Sequence, residues 1–256
     1  MNDQSMILQI KRLLLSRSEY DDCVKHYVQN VNIPESILHC GAHLGEEYEV
    51  YKKFGIDEIY WNEAQPNLVL QLKKLFGESN IFQGALSEKD GETIDFFITD
   101  NSLSSSTRII NPVNEWSIKL LNKIEVKSIT LNTILRRIQL NKGKPPNLII
   151  LDLQGGEFEA LSQSGIAFEN QSDFVVEMAQ YEIYKNQKIE SDIISFFETI
   201  DYKLVYPIKK KTHYDALFLS PRSQQEYFKT IKVLKRFLSL RKSRLVDLLY
   251  VIKKAI

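Results

Sequence analysis

Ile37-Leu38-His39-Cys40-Gly41-Ala42-His43-Leu44-Gly45, followed by Glu58-Ile59-Tyr60-Trp61-Asn62-Glu63, is the stretch on which the fold turns. An apolar run of strand character enters a glycine-flanked turn, and a second such run ends in a carboxylate 22 positions after Gly41. A strand, a glycine turn, a helix and a strand ending in an acid form the layout that holds a nucleoside. The turn lets the ligand approach the backbone, and the acid accepts bonds from ribose hydroxyls. Between them Leu44, Tyr48, Tyr51 and Phe54 share one helical face, with Gly55 placed to end the helix. The next unit repeats the logic: Pro66 suits a first helical position, Leu68, Leu72, Leu75 and Phe76 make an inward stripe, and Gly77 closes it.

Working outward, strand-like runs at 80–83, 93–98, 148–152 and 173–177 alternate with helical stretches. The last two are continuous apolar runs ending in Asp152 and Glu177, as expected of strands buried on both faces where they emerge at their carboxyl ends, and ligands of open α/β sheets bind at those ends. Ile193, Ile194, Phe197 and Ile200 form a helical stripe, after which 202–206 and 216–220 read as a closing antiparallel pair joined through the basic run Lys209-Lys210-Lys211. The stretch 100–116 is polar, serine-rich and aperiodic, which marks a functional loop or a disordered one.

With 256 residues, 43% hydrophobic and 26% charged, the chain can bury one sizeable core. The expected organisation is an N-terminal helical segment (1–35), an α/β domain (36–220) and a basic amphipathic helical tail (221–256). A net charge of zero gives no global pull toward nucleic acid, and no nucleic-acid partner is expected. Cys23 and Cys40 are the only cysteines, and Cys40, on the first core strand, reads as a buried free thiol suited to a reducing compartment. The apolar run 6–15 is split by Lys11 and Arg12 and makes a poor signal peptide, and no stretch reaches the ~20 apolar residues of a membrane span. A cytoplasmic location follows as an expectation.

The dinucleotide fingerprint requires glycines at relative positions one, three and six, but His43 and Glu46 follow Gly41 at the second and third of these. That argues against a nicotinamide cofactor. The looser G-x-x-x-G pattern with a carboxylate after the next strand is common in enzymes that bind S-adenosylmethionine, though the same residues can also make a tight packing turn.

Further segments resemble the FkbM-type methyltransferase family: Gly41 to Gly45, Trp61 to Asn67, Gly84-Ala85-Leu86-Ser87 with Gly91, Ser104-Ser105-Ser106, Val126 with Thr130-Leu131-Asn132, Asp152 to Glu157, and Glu177. They occur in the family's order over about 36 to 220. The resemblance implies a Rossmann-like α/β fold, with a seven-stranded methyltransferase sheet, helices on both faces, and helical extensions at both ends. It also implies S-adenosylmethionine as donor and methylation of a hydroxyl on a glycan, a lipid-linked glycan or a natural-product acceptor.

Methyl transfer from a sulfonium is an in-line displacement, so the protein must align donor and acceptor and help the hydroxyl lose its proton. On this reading Gly41, Ala42 and Gly45 admit the donor, with His39, His43, Glu46, Ala64 and Asn67 around it. Glu63 takes the ribose diol; Ala85 and Leu86 flank the adenine. Asp152, aided by the Gly155-Gly156 turn, is the first candidate for the reacting end, as general base, as acceptor-orienting group or as partner of the donor's ammonium; a helix-capping aspartate is the plain alternative. Gln154 beside it is a further candidate for donor contact, and Glu177 and His213 are further catalytic candidates. Ser104, Ser105, Ser106 and Glu157 are candidates for acceptor contacts. Two carboxylates at adjacent strand ends would suit Mg²⁺, but strand termini often carry such acids anyway, so a metal is left open.

Three positions depart from the family pattern. His39 stands where an acid is usual, Gln154 where a glutamate is, and Asn132 where an aspartate is. The first removes an expected partner for the donor's ammonium unless Glu46, Glu47 or Asp152 substitutes, and a neutral Gln154 can position a group but cannot accept its proton at neutral pH. A donor- or partner-binding module with a decayed site therefore stands beside the enzyme as an alternative, and a nicotinamide-dependent enzyme behind both. From Arg222 to Lys254 ten basic residues face two acidic ones, with apolar stripes at helical spacing. Such a helix can lie on an anionic membrane at its inner face, or pack on the domain or a second subunit in a homo-oligomer.

Overall fold

The computed structural model describes residues 22–111, 118–207 and 213–233. Its centre is the pair β1 (Ser36–Cys40) and β7 (Leu148–Leu151), parallel, with Ile37 opposite Leu148 and Cys40 opposite Leu151. β2 (Glu58–Glu63) and β3 (Ile81–Gln83) extend the sheet on one side. On the other lie β8 (Asp173–Ala179), β10 (His213–Leu219) and β9 (Lys203–Tyr206), giving the order β3-β2-β1-β7-β8-β10-β9. Only β10 runs against its neighbours, so the closing antiparallel pair expected from the sequence is present. Strand order reverses between β1 and β7, and a crevice must open at their carboxyl ends.

Alternation along the strands builds a core on each face. Leu38, Cys40, Ile149 and Leu151 join Ile134, Leu135, Phe174 and Phe197 on one side. Ile37, Leu148 and Ile150 join Trp61, Val69 and Leu72 on the other. Every residue of β1 and β7 is buried, which is why both read as apolar runs without a polar face.

The first and last described helices belong to this packing. Helix α1 (Asp22–Asn30) buries Cys23, Val24, Tyr27 and Val28 in the second core. The Tyr27 hydroxyl donates to Asp173 Oδ2 at 2.8 Å, while Ser223, on the helix spanning 221–233, donates to the same oxygen at 2.6 Å. A boundary at residue 35 is therefore one of chain order, not of packing. The rest of the basic tail, from 234, and Lys209-Lys210-Lys211 lie outside the described residues.

Two helical expectations need correction. Helix α2 covers only Tyr48–Lys53, because Gly41, His43 and Gly45 all take left-handed φ (84°, 45° and 73°) and hold Leu44 in a turn. In α3 (Pro66–Phe76) the proline starts and Gly77 ends the helix as read, and Leu68, Val69 and Leu72 are buried, but Leu75 is 64% exposed.

A second sheet, β4 (Ala85–Leu86), β6 (Leu120–Ile129) and β5 (Thr93–Thr99), stands above the crevice. β6 gave no strand signal in the sequence because most of its residues face solvent. Helix α4 (Leu131–Lys142) follows it, capped by Thr130, whose side chain accepts from the Thr133 amide at 3.1 Å. Three helices remain: α5 (Glu157–Ser162), α6 (Gly165–Glu169) and α7 (Glu190–Glu198). Asn132 accepts from the Ile166 amide at 3.0 Å, so its amide serves the start of α6 and not a ligand.

Candidate active site

The crevice is a cavity of about 410 Å³ at the carboxyl ends of β1, β2, β7 and β8, roofed by the second sheet and the short turn Ser102–Ser104. Its floor depends on Gly41. A side chain there would set its Cβ 1.7 Å from the Asp152 carbonyl oxygen, so only glycine lets the ends of β1 and β7 meet. The Gly41 and Ala42 amides both donate to the Asn62 carbonyl at 3.0 Å, and the Asn62 side chain donates to the carbonyls of Phe82 and Gly84. The turn is thus tied across β2 to the end of β3.

Glu63 closes β2 on the wall of the cavity and is 5% exposed. Its oxygens accept from the His43 amide (2.9 Å) and the Gln65 amide (2.8 Å). Burial pushes this carboxyl above its ordinary value, against the pull of those amides. A carboxylate has about four acceptor positions, so Glu63 keeps capacity for donors from a ligand. Next to it His43 Nδ1 lies 2.6 Å from Glu46 Oε1, and the Leu44 amide donates to the other oxygen of Glu46.

The opposite end of the cavity holds a polar cluster. Gln154 Nε2 donates to Asp152 Oδ1 at 2.7 Å and to Glu177 Oε2 at 2.8 Å, and Glu177 Oε1 lies 2.9 Å from His213 Nε2. Desolvation, then the nearby Glu177 charge, pushes Asp152 well above the usual carboxylate range. Glu177 is raised in the same direction by desolvation and by Glu157 and Asp215, which stands opposite it across the β8–β10 ladder. Both acids are therefore stronger bases than exposed carboxylates.

The loop carrying Gln154 is held from three sides. Gln154 itself has φ +55°. Its carbonyl accepts from Ser106 Oγ at 2.7 Å, and Glu157 Oε1 accepts from the Leu153 and Gly155 amides at 2.8 and 3.2 Å. Glu157 is 1% exposed, and burial pushes its carboxyl up to about 7. The N-cap of α5 is Gly156, so Asp152 does not cap that helix.

Of the residues singled out in the sequence, Gly41, Ala42, His43, Glu46, Glu63, Ala64, Ala85, Leu86, Ser104, Ser105, Asp152, Gln154, Glu177 and His213 line the cavity. His39, Gly45, Asn67, Ser106 and Glu157 do not. His39 faces α2: its Nδ1 lies 2.8 Å from the Tyr51 hydroxyl and its ring stacks on Trp61. Burial holds its pKa below the ordinary value. Gly45 is needed for packing, since a Cβ would come within 2.7 Å of the Phe76 ring, and Asn67 is exposed on α3. Ser106 and Glu157 act on the loop beneath the cavity. The Ser104 and Ser105 hydroxyls also brace the roof, accepting from the Asn101 side-chain amide and the Thr99 backbone amide.

The cavity further includes Glu47, Asn62, Gln65, Phe96, Leu103 and Thr107. Asn62 and Gln65 flank Glu63, a signal that was present in the sequence, whereas Phe96, Leu103 and Thr107 arrive only when the second sheet folds over. Among the described residues no group of three or more His, Cys, Asp or Glu side chains is placed to hold a metal ion.

Residues 39–204 match the family model described as Methyltransferase FkbM domain. Among curated proteins none matches the chain in sequence. A TehB-like SAM-dependent methyltransferase from Corynebacterium glutamicum is similar in structure at 14% identity, with 85% of this chain and 97% of that one covered and a TM-score of 0.41. An O-methyltransferase from Bacillus cereus in complex with SAH is similar at 11% identity, 86% and 91% covered, TM-score 0.38. Likeness at this level says nothing of the substrate.

Proposed function

This chain belongs to the FkbM methyltransferase family, its methyl donor is S-adenosylmethionine, and we propose that it methylates a hydroxyl of a glycan, a lipid-linked glycan or a related natural-product acceptor. The observation that carries this reading is the union, in one cavity, of a ribose-type acid on β2 with a base cluster 89 positions later in the chain, Glu63 and Asp152. A cavity of about 410 Å³ falls within the roughly 300–1,000 Å³ of small-molecule sites.

The residues present suit that donor. Glu63 has acceptor positions left for a ribose diol. Gly41 and Ala42 present backbone without bulk, and Ala85, Leu86 and Phe96 offer apolar surface to a purine. Glu46 and Glu47 supply the negative charge that an α-ammonium requires, so the missing acid at His39 is compensated from neighbouring positions. Bound there, the donor supplies a methyl carbon on a sulfonium, open to in-line displacement by an oxygen. The protein's part is to hold the attacking hydroxyl in line and take its proton. Asp152, Glu177 and His213 stand together for this: the two carboxylates are made basic by desolvation, and the His213 ring is in contact with one of them. Ser104 and Ser105 are placed to meet an acceptor under the roof.

Among the described residues no helix is long and apolar enough to cross a membrane. We place the protein in the cytoplasm, in peripheral contact with the inner membrane face through its basic tail, which would bring it to lipid-linked acceptors.

Calorimetry with S-adenosylmethionine and with NAD tests the donor site. Binding of the first alone is expected, with Glu63→Gln weakening it about 10- to 100-fold, the range of a charge-assisted hydrogen bond. Methyl-labelled donor offered with free and polyprenyl-linked sugars then tests the acceptor class. Equal turnover by wild type and Asp152→Asn would remove Asp152 from its role. Donor binding without transfer to any hydroxyl would favour the decayed module, and no donor binding at millimolar concentration would overturn the reading.

A further inference from the structure

Gln154 occupies the centre of the base cluster yet carries no charge. Its amide group makes contacts at both ends: Nε2 donates to Asp152 Oδ1 (2.7 Å) and to Glu177 (2.8 Å to Oε2, 3.0 Å to Oε1), and Oε1 accepts from the Tyr184 hydroxyl at 2.6 Å. An amide nitrogen has two protons, one for each carboxylate. Flipping it would turn the carbonyl oxygen toward two acids, so the orientation is fixed by electrostatics on one side and by Tyr184 on the other. Tyr184 is 1% exposed in the loop after β8. Its hydroxyl also lies 3.3 Å from the Ser104 carbonyl, the longer of its two contacts. The backbone on which Gln154 rides is set by Gly155, whose Cβ position would be 3.0 Å from the Tyr184 side chain. Tyr184 thus touches the loop and the amide together.

Two carboxylates in one desolvated cleft repel, and without a compensating donor they share a proton. A pair holding a proton in common is a poor acceptor for another. We propose that Gln154 is a positioning residue whose side-chain amide, keyed by the Tyr184 hydroxyl, acts as a neutral strut that keeps Asp152 and Glu177 available as proton-accepting carboxylates and holds Glu177 against His213. The proposal rests on the methyltransferase reading of this cavity, and it assigns a role to Tyr184, which does not line the cavity. The other titratable groups facing the pair are Glu157 from α5, Asp215 and His213 from β10, and Glu47 ahead of α2.

Carbon-13 detection of Asp and Glu carboxyl carbons across pH, in the full chain, with Asp152→Asn and Glu177→Gln assigning the signals, reads the pair directly. Gln154→Glu puts a third acid in the cluster, and Tyr184→Phe releases the amide to rotate. Both are expected to move the titration of the pair upward, the first by about one unit or more, as for like charges sharing a site, the second by less. Unchanged titration in Tyr184→Phe overturns the proposal even where Gln154→Glu fails to fold. S-adenosylhomocysteine binding, followed by calorimetry, is expected to stay within about threefold in Tyr184→Phe, less than the ~1.4 kcal/mol of a tenfold change. Failure of the wild type to bind S-adenosylhomocysteine would sink the functional reading while leaving the titration legible.

Discussion

Replacing Glu157 by Gln should make the protein less sensitive to alkali, and by an amount that can be worked out. Glu157 is 1% exposed, and burial raises its carboxyl from 4.5 to about 7. Between those values the folded protein holds a proton that the unfolded chain has lost. The stability contributed by the protonated group is complete below 4.5 and is lost as pH rises through about 7, so stability falls with pH in that window. One pKa unit is ~1.36 kcal/mol, and the loss attributable to Glu157 between pH 5 and pH 8 is about 2–3 kcal/mol. Both hydrogen bonds that fix the loop, from the Leu153 and Gly155 amides, end on the single oxygen Oε1. A glutamine carbonyl can accept them unchanged. Urea denaturation of wild type and Glu157→Gln at pH 5 and pH 8 reads the difference, to which relief of Glu177 from the neighbouring Glu157 charge adds in the same direction. At a urea slope of ~2–3 kcal/mol/M the variant should gain roughly 1 M in midpoint on the wild type between the two pH values. Parallel pH dependence in the two proteins would refute the reasoning.

Other outcomes follow from the same geometry. Gly41→Ala combines a left-handed φ of 84° with a Cβ 1.7 Å from the Asp152 carbonyl. It should cost more than ~3 kcal/mol in denaturation and abolish donor binding, as severe local changes do. Thr130→Ala removes the cap of α4 and should cost about 1–2 kcal/mol by the same assay while leaving donor affinity intact. Tyr27→Phe deletes a donor to the buried Asp173 and should cost about 1–3 kcal/mol, with increased protease cleavage near the N-terminus. Wild type should float with vesicles of phosphatidylcholine containing one part in three phosphatidylserine at low salt, and a chain ending at 233, which keeps Ser223 on Asp173, should not, since each basic residue near such a surface contributes about 1 kcal/mol.

How far the sequence carried the argument depended on whether a contact was local. The central strands were readable as elements because β1, β7 and β8 are almost wholly buried and mostly apolar, and the Gly41–Glu63 wall of the cavity was readable because its parts lie on consecutive units. Gly41, Glu63 and Asp152 each sit at a strand end, where chemistry and backbone geometry constrain the same residue. Helix α2 was read one turn too long since Leu44 has the right spacing, but three left-handed residues around it forbid the helical φ, and spacing alone does not report φ.

The Asp152 end of the cavity was less legible for a physical reason. Its defining contacts join residues far apart in the chain: Gln154 to Glu177 and Tyr184, Ser106 to Gln154, His213 to Glu177. No period or local motif marks Tyr184 or Phe96, because their surroundings come from other elements. Gln154 illustrates the difference most directly. In the sequence it reads as a lost acid able to position a group but not to take a proton, and what it would position is not legible. In the fold its two amide protons lie between two carboxylates, its oxygen is held by a buried hydroxyl, and its left-handed backbone is fixed by Ser106 and Gly155. In this chain the amide at 154 gives each of the two carboxylates a donor, where a third carboxylate would add a charge to a cleft in which two are already desolvated.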